Sequence, residues 1–141
     1  MTQKQSSLSN VVPVLVAALV CDVAVPDPST GKKNLIGIFD RVNVGKFPTE
    51  RQMSLYMKVT DAEGDYDTEV RYLQVSSGKV LAKAEGKLHS ENRLASIELI
   101  IKFPPLPIPE EGRYEFQVWA NSMFLGATFI DALPRPKPRE D

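Results

Sequence analysis

Alternating apolar and polar residues dominate the chain, and the clearest case is the segment 112–131, GRYEFQVWANSMFLGATFID. Its two alternating runs are joined by Asn121 and Ser122 alone, and a two-residue connection is typical of a β-hairpin. Pairing Ala120 with Met123 sets a register in which apolar side chains share one face, which predicts a half-buried sheet. The other predicted pairs on the buried face are Val118–Leu125, Phe116–Ala127 and Tyr114–Phe129.

The same register assigns a second group of side chains to the outer face of this hairpin. It places Trp119 opposite Phe124, and Arg113 opposite Ile130. Aromatic pairs on a solvent-facing sheet are uncommon, and Trp and Arg are enriched at protein-binding sites. We therefore predict an interaction surface formed by Trp119, Phe124, Ile130 and Arg113. The alternative is that a loop or the N-terminal segment of the same chain covers these rings.

A second hairpin is predicted from residues 65–75 and 79–88. A three-residue loop, residues 76–78, with Gly78 in the left-handed conformation, pairs Val75 with Lys79. This register separates a small-residue apolar face from a charged face, whereas a two-residue loop would mix them. The predicted buried pairs are Val70–Ala84 and Tyr72–Ala82.

No stretch of ten or more residues shows a clean helical period, so no helix is predicted. The remaining apolar and alternating segments are interpreted as four further strands. The apolar run 11–21, VVPVLVAALVC, has 11 residues and is too short for a membrane-spanning helix, which needs about 20. We interpret it as a first strand buried on both faces; a signal segment with Lys4 upstream is the alternative. The four strands cover residues 14–25, 34–44, 52–60 and 93–103, and in the third strand Met53, Leu55, Met57 and Val59 are predicted to face inward.

This spacing of strands and turns predicts an all-β fold, a single antiparallel β-sandwich of about seven to nine strands. The spacing of Glu110, Gly112 and Tyr114 resembles the tyrosine corner of immunoglobulin-like sandwiches, in which a tyrosine hydroxyl bonds upstream backbone. Cys21 is the only cysteine, so no internal disulfide forms. The predicted domain covers residues 11–133, between a flexible segment 1–10 and a proline-rich charged tail 134–141.

Nearly the whole chain from Leu19 onward also resembles a family of uncharacterised bacterial proteins of unknown function. The matching residues are the segment 34–41 (NLIGIFDR), Phe47-Pro48 and the segment 112–116 (GRYEF). The resemblance implies a compact bacterial β domain. It implies no activity, ligand or catalytic residue.

Composition and residue counts exclude several classes of function. The chain has 141 residues with a net charge of −1, which suits one domain and argues against general nucleic-acid binding. His89 and Cys21 are the only residues of their types, and no nucleophile, base and orienting group can be assembled from the spacing. We therefore expect no enzymatic activity, no cofactor, no membrane insertion and a cytoplasmic location, or a secreted one if residues 1–21 are a signal segment.

Four acidic residues at alternate positions, Asp61, Glu63, Asp65 and Asp67, are the one candidate metal loop. Calcium takes six to eight oxygen ligands, but Gly64 is misplaced for a calcium-binding loop and Tyr72 stands where the bidentate Glu belongs. A solvated turn without metal is therefore the favoured interpretation.

Three hypotheses for function remain open from the sequence. The first is a non-enzymatic interaction or assembly module that binds a protein partner or itself. The second is a small-ligand or carbohydrate-binding domain, with Trp119, Tyr56 or Tyr72 as a stacking platform. The third is an enzyme with an unrecognised site, for which a pocket around His89, or around Asp22, Asp40 and Arg41, would be the indication.

Overall fold

The computed structural model describes residues 8–136, and its regular structure consists of β-strands. Eleven strands are present in this range, more than the seven to nine predicted. They are β1 (Val14–Pro26), β2 (Lys33–Ile38), β3 (Arg41–Val44), β4 (Thr49–Arg51), β5 (Ser54–Thr60), β6 (Gly64–Gln74), β7 (Lys79–Ser90), β8 (Ile97–Lys102), β9 (Leu106–Ile108), β10 (Gly112–Ala120) and β11 (Met123–Pro134).

The strands form a four-stranded sheet in the order β2-β1-β5-β8 and a five-stranded sheet in the order β3-β11-β10-β6-β7. Strands β4 and β9 pair as a small separate ribbon. The predicted second strand, 34–44, breaks at Phe39 and Asp40, where the chain crosses from the first sheet to the second. As a result β3 pairs with β11 in parallel, and the expectation of a wholly antiparallel arrangement is wrong.

The two main sheets bury their inner faces against each other, mostly in one large hydrophobic cluster, with a smaller second cluster around Tyr66. The predicted inward positions of β5 and the residue before it are confirmed, since Met53, Leu55, Met57 and Val59 are each at most 4% exposed. Val20 of β1 packs with them from the neighbouring strand. The five-stranded sheet contributes Val70, Tyr72, Tyr114, Phe116, Val118 and Ile130 to the same core.

The first strand is not buried on both faces, contrary to the prediction. Val20 is 3% exposed, but Leu19 and Val23 are 37% and 45% exposed. Alternate residues of a strand point to opposite sides, and only one side of β1 packs on the other sheet. The outer side of the four-stranded sheet therefore carries apolar residues that the rest of residues 8–136 leaves exposed.

The last hairpin has the predicted turn, but its register holds for only two pairs. Asn121 and Ser122 both have positive φ, 49° and 64°, as the tight hairpin turn requires. The pairs Ala120–Met123 and Trp119–Phe124 are confirmed. A β-bulge then adds one residue to β11, and the pairs that follow are Val118–Gly126, Gln117–Ala127, Phe116–Thr128, Glu115–Phe129, Tyr114–Ile130 and Arg113–Asp131.

The bulge exchanges the two faces of β11 beyond Leu125, because a one-residue shift moves every following side chain to the opposite side. Ile130 is therefore fully buried in the core, and its predicted place on the outer surface is wrong. Phe129, predicted to face inward, lies on the outer face with Arg113. Gly126 fits this site because a Cβ there would come within 2.9 Å of Leu15 Cδ2.

The second hairpin reaches its predicted core pairing through a different turn. Gln74 pairs with Lys79, so the turn has four residues, and Gly78 N–H donates to the carbonyl of Gln74 at 2.8 Å. The predicted three-residue loop is wrong. A bulge on β7 then restores the register, and the predicted buried pairs Val70–Ala84 and Tyr72–Ala82 are confirmed.

The predicted hydrogen bond of the tyrosine corner is confirmed. Tyr114 is fully buried, and its hydroxyl donates to the carbonyl of Glu110 at 2.6 Å and accepts from the Glu110 N–H at 3.1 Å. Tyr72 stacks beside it, with ring centroids 5.6 Å apart. The Tyr72 hydroxyl donates to the carbonyl of Pro107 at 2.8 Å, and burial raises the pKa of this side chain.

Both ends of the described chain contact the domain beyond the predicted limits of 11 and 133. Leu8 bridges Asp65 in parallel, and Ser9 N–H donates to the carbonyl of Asp65 at 3.0 Å. Pro134 pairs with Val44 at the end of β11. The predictions that concern residues 1–7, including Lys4, and residues 137–141 lie outside the described residues.

Replacing Tyr114 with Phe should lower the free energy of unfolding by about 1–2 kcal/mol, because the two hydrogen bonds between the buried side chain of Tyr114 and the backbone of Glu110 are lost. Chemical denaturation at neutral pH measures the change. Tyr56→Phe is the control, since the Tyr56 hydroxyl donates to the exposed carboxylate of Glu98, which water can solvate when the hydroxyl is gone. Equal losses in the two variants would contradict the structural role of the corner.

Candidate functional site

Two of the predicted surface residues, Trp119 and Phe124, form an aromatic pair on the outer face of the five-stranded sheet. Their ring centroids are 5.2 Å apart in an edge-to-face arrangement. The Arg71 guanidinium lies 4.3 Å from the centroid of the Trp119 ring. Trp119 is therefore half-buried between its neighbours on β6 and β11, while Phe124 remains 52% exposed. Side chains of the adjacent strands, Arg71 and Phe124, therefore cover part of the Trp119 ring.

Arg113 lies far from this pair, at the opposite end of β10. It lies six positions along the strand from Trp119, which corresponds to about 20 Å. Its guanidinium donates to both carboxylate oxygens of Asp131, at 2.7 and 3.0 Å, and stacks over the Phe129 ring at 3.6 Å. With Ile130 buried, the four residues predicted as one surface do not form one.

The candidate metal loop does not gather its carboxylates around a common point. Asp65 accepts from His89 Nδ1 at 2.6 Å, and Asp67 accepts from the Lys87 ammonium at 2.5 Å. The backbone of Glu63 is instead held by the Tyr66 hydroxyl. In the range 8–136, no group of three or more His, Cys, Asp or Glu side chains is placed to bind a metal ion.

The hydrogen bond that His89 donates to Asp65 raises the pKa of His89, which lies exposed on β7. Asp22 lies on the other main sheet, in an exposed ion pair with Arg51 at 2.9 Å. Cys21, its neighbour on β1, is buried, and burial followed by the charge of Asp22 raises the pKa of the thiol. A thiol with a raised pKa stays protonated at neutral pH and is a poor nucleophile.

Two of the three predicted stacking residues are unsuitable for binding a ligand. Tyr72 is fully buried and Tyr56 is 8% exposed. Burial and the hydrogen bond to Glu98 raise the pKa of Tyr56 to about 12, so its hydroxyl stays protonated as a donor. Trp119 is the remaining candidate for stacking, with Arg71 already against its ring.

An exposed apolar surface lies on the outer face of β1 and β2, where no site was predicted. Cross-strand neighbours Val23 and Ile36 are 45% and 57% exposed. The signal in the sequence is the apolar residues at alternate positions of both strands, but the prediction that β1 is buried on both faces assigns its residues to the core. We name this surface the β1–β2 patch, and it consists of Leu19, Val23, Val25, Ile36 and Ile38.

An apolar cleft of about 360 Å³ opens between the edge strands β7 and β8. Small residues at alternate positions of β7, Ala84 and Gly86, form one wall, and Leu99 and Ile101 of β8 form the other. Side chains of β5, β6 and β10 form its floor, among them Met57, Val70 and Val118. Its volume lies within the range of ligand-binding cavities. We name it the β7–β8 cleft.

These features define an all-β domain whose two main sheets pack against each other, with apolar surfaces as its candidate sites. The chain belongs to a family of unknown function, DUF6941, whose model matches residues 16–130. This match extends from β1 to β11 and confirms the predicted resemblance to an uncharacterised family. A comparison with curated proteins finds no match. Among the residues that the structure describes, no helix is long and apolar enough to cross a membrane.

Replacing Asp131 with Asn tests the ion pair at Arg113. The Arg113 hydrogen bond holds the pKa of Asp131 below its usual range, so the pair stabilises the fold above the unfolded pKa of about 4 and is lost as the pH falls through the folded value. At pH 7 the variant should lose less than about 1 kcal/mol, because the pair is partly exposed.

The difference from the parent should shrink as the pH falls below the unfolded pKa of about 4, and it should disappear once the pH is also below the lowered pKa of Asp131 in the folded state. Chemical denaturation across this pH range measures it. Glu111→Gln, at an exposed position with no ion pair within residues 8–136, is the control. A stability difference that stays constant from pH 7 to pH 2 would rule out the ionic origin.

Proposed function

We propose that the domain is a single β-sandwich of the immunoglobulin-like type. In that architecture strands B and E lie in one sheet and strands C, F and G in the other. Strands β5 and β8 correspond to B and E, and strands β6, β10 and β11 to C, F and G. The tyrosine corner at Tyr114 opens β10, as it opens strand F in that fold.

We propose that the protein is a non-enzymatic assembly module that buries the β1–β2 patch against another polypeptide. The observation that carries this proposal is the side-by-side exposure of its five aliphatic side chains, each 37–57% exposed. Contiguous exposed apolar surface of this kind is typical of interfaces. Burying the exposed half of each side chain contributes on the order of 1 kcal/mol per residue, before the cost of association.

The partner that fits the patch best is a second copy of this chain. The patch itself carries no charged side chain, so placing it against its own copy creates no like-charge contact. An arrangement with two-fold symmetry would bring the same residues of both copies together, which is the commonest way that soluble chains associate. We also propose a cytoplasmic location, since a single cysteine fits a reducing compartment.

The surface around Trp119 and Phe124 supports an interaction less strongly. Arg71 already contacts the Trp119 ring, and the two aromatic rings contact each other, so less apolar area is left for a partner. Charged side chains surround the pair, including the Glu69 carboxylate that accepts from Arg71 at 2.6 Å. The same arrangement weakens the carbohydrate-binding alternative, which needs an open ring face.

Replacing Ile36 with Lys should disrupt self-association, because each dimer would then hold two buried ammonium groups close together. We expect the dimer dissociation constant to rise at least about tenfold, with the thermal midpoint of the monomer nearly unchanged since Ile36 is 57% exposed. Sedimentation velocity over a range of protein concentrations measures the effect.

Leu94→Lys is the matched control, because Leu94 is 88% exposed and lies in the loop before β8, away from the patch. A Trp119→Ser, Phe124→Ser variant tests the competing surface in the same assay. Association that survives Ile36→Lys but is lost in the aromatic variant would reject the β1–β2 patch in favour of the surface predicted from the sequence. A parent chain that stays monomeric at all concentrations would also reject the proposal.

A further inference from the structure

The β7–β8 cleft lies between two strands that each end a sheet. Strand β8 is the last of the four-stranded sheet and β7 the last of the five-stranded sheet, and within residues 8–136 neither has a partner on its outer side. Unpaired edges present backbone N–H and C=O groups that can bind a further strand. The cleft thus combines an apolar interior with hydrogen-bonding edges.

The two edges differ in charge. Strand β7 carries Lys83, Glu85 and Lys87 at alternate positions on its outer face, a pattern that protects an edge from pairing. The middle of β8, residues 99–101, is uncharged and aliphatic. Strand β8 is therefore the edge that a further strand would join.

We infer that the β7–β8 cleft binds an extended segment of a partner protein, with aliphatic residues at alternate positions, as an added strand beside β8. Main-chain hydrogen bonds to β8 supply part of the affinity, and alternate side chains entering the cleft supply the specificity. This inference concerns a different surface from the β1–β2 patch and does not rest on the proposed self-association.

The dimensions of the cleft agree with such a segment. Strand β8 has six residues, which extend over about 20 Å, and alternate side chains of a paired strand are about 7 Å apart. Three inward side chains can therefore enter along its length. The wall opposite β8 has the small residues Ala84 and Gly86 at two inward positions, followed by Leu88, and the space beside the two small residues is where these side chains would enter.

The lining favours an aliphatic segment over a sugar or a nucleotide. The interior is formed by aliphatic side chains such as Val70, Leu99 and Val118, and its charged residues, Glu85, Lys87 and Lys102, belong to the edge strands. Lys87 already bonds Asp67. Ligands rich in hydroxyl or phosphate groups would lose hydration in this interior without gaining partners.

The test uses the full chain and a synthetic peptide, KKTVTVTVKK, whose valines share one face of a strand. Isothermal titration calorimetry measures binding, and the rise of the thermal midpoint on addition of peptide is the second measurement. We expect saturable binding by the peptide and none by KKTSTSTSKK. Backbone methylation at the threonines blocks one edge of the peptide and methylation at the valines blocks the other, so only one of these two peptides should lose binding.

Ala84→Phe should weaken peptide binding at least about tenfold by filling the cleft. Ala127→Phe is the matched control, because Ala127 is exposed on the outer face of β11. Gly86→Val is a second filling variant in case Ala84→Phe fails to fold, as judged by thermal melting. The parent chain and Ala127→Phe should bind the peptide with similar affinity, and the two filling variants should bind it more weakly.

Three results would overturn the inference. The first is peptide binding that Ala84→Phe and Gly86→Val leave unchanged. The second is binding of decanoate without binding of the peptide, which would make the cleft a site for small apolar ligands. The third is self-association of the chain that the peptide dissociates, which would assign the cleft to a second copy.

Discussion

Two hydroxyls of buried tyrosines hold the segment between β8 and β10 against the core of this domain. A hydroxyl placed in an apolar core must find a partner, and both of these bond to backbone of the proline-rich segment between β8 and β10. Tyr114 holds Glu110, and Tyr72 holds Pro107. Because their rings stack, the segment is fixed over the aromatic centre of the core. The ribbon of β4 and β9 and the start of β10 take their positions from this contact.

Packing two sheets together leaves each with one outer face, and the two outer faces of this protein differ. On the five-stranded sheet, charged residues pair across neighbouring strands, as Lys87 does with Asp67, and Arg71 covers an aromatic ring. On the four-stranded sheet, β1 and β2 present aliphatic side chains with no such cover in the described chain. The contrast between these faces is the main structural argument for an assembly function.

Local patterns predicted those features that depend on neighbouring residues. Alternation identified the inward side of β5, and turn chemistry identified the Asn121–Ser122 turn. The bulge at Leu125 could not be predicted, because it accommodates Leu15, which is distant in the sequence. Sequence alternation also could not show which face of β1 the other sheet covers. The β1–β2 patch and the β7–β8 cleft both depend on such long-range packing, so the predicted site contained neither.

Strand β3 is synthesised well before β11, yet the two strands are neighbours in the sheet. The five-stranded sheet therefore cannot be completed until residue 134 has left the ribosome. Contacts between residues so far apart in the sequence slow folding, since a long loop must close before they form. During this interval the nascent chain exposes β-strand edges and apolar residues that attract other chains. Rapid synthesis of many copies would therefore place this protein at risk of aggregation before its fold is complete.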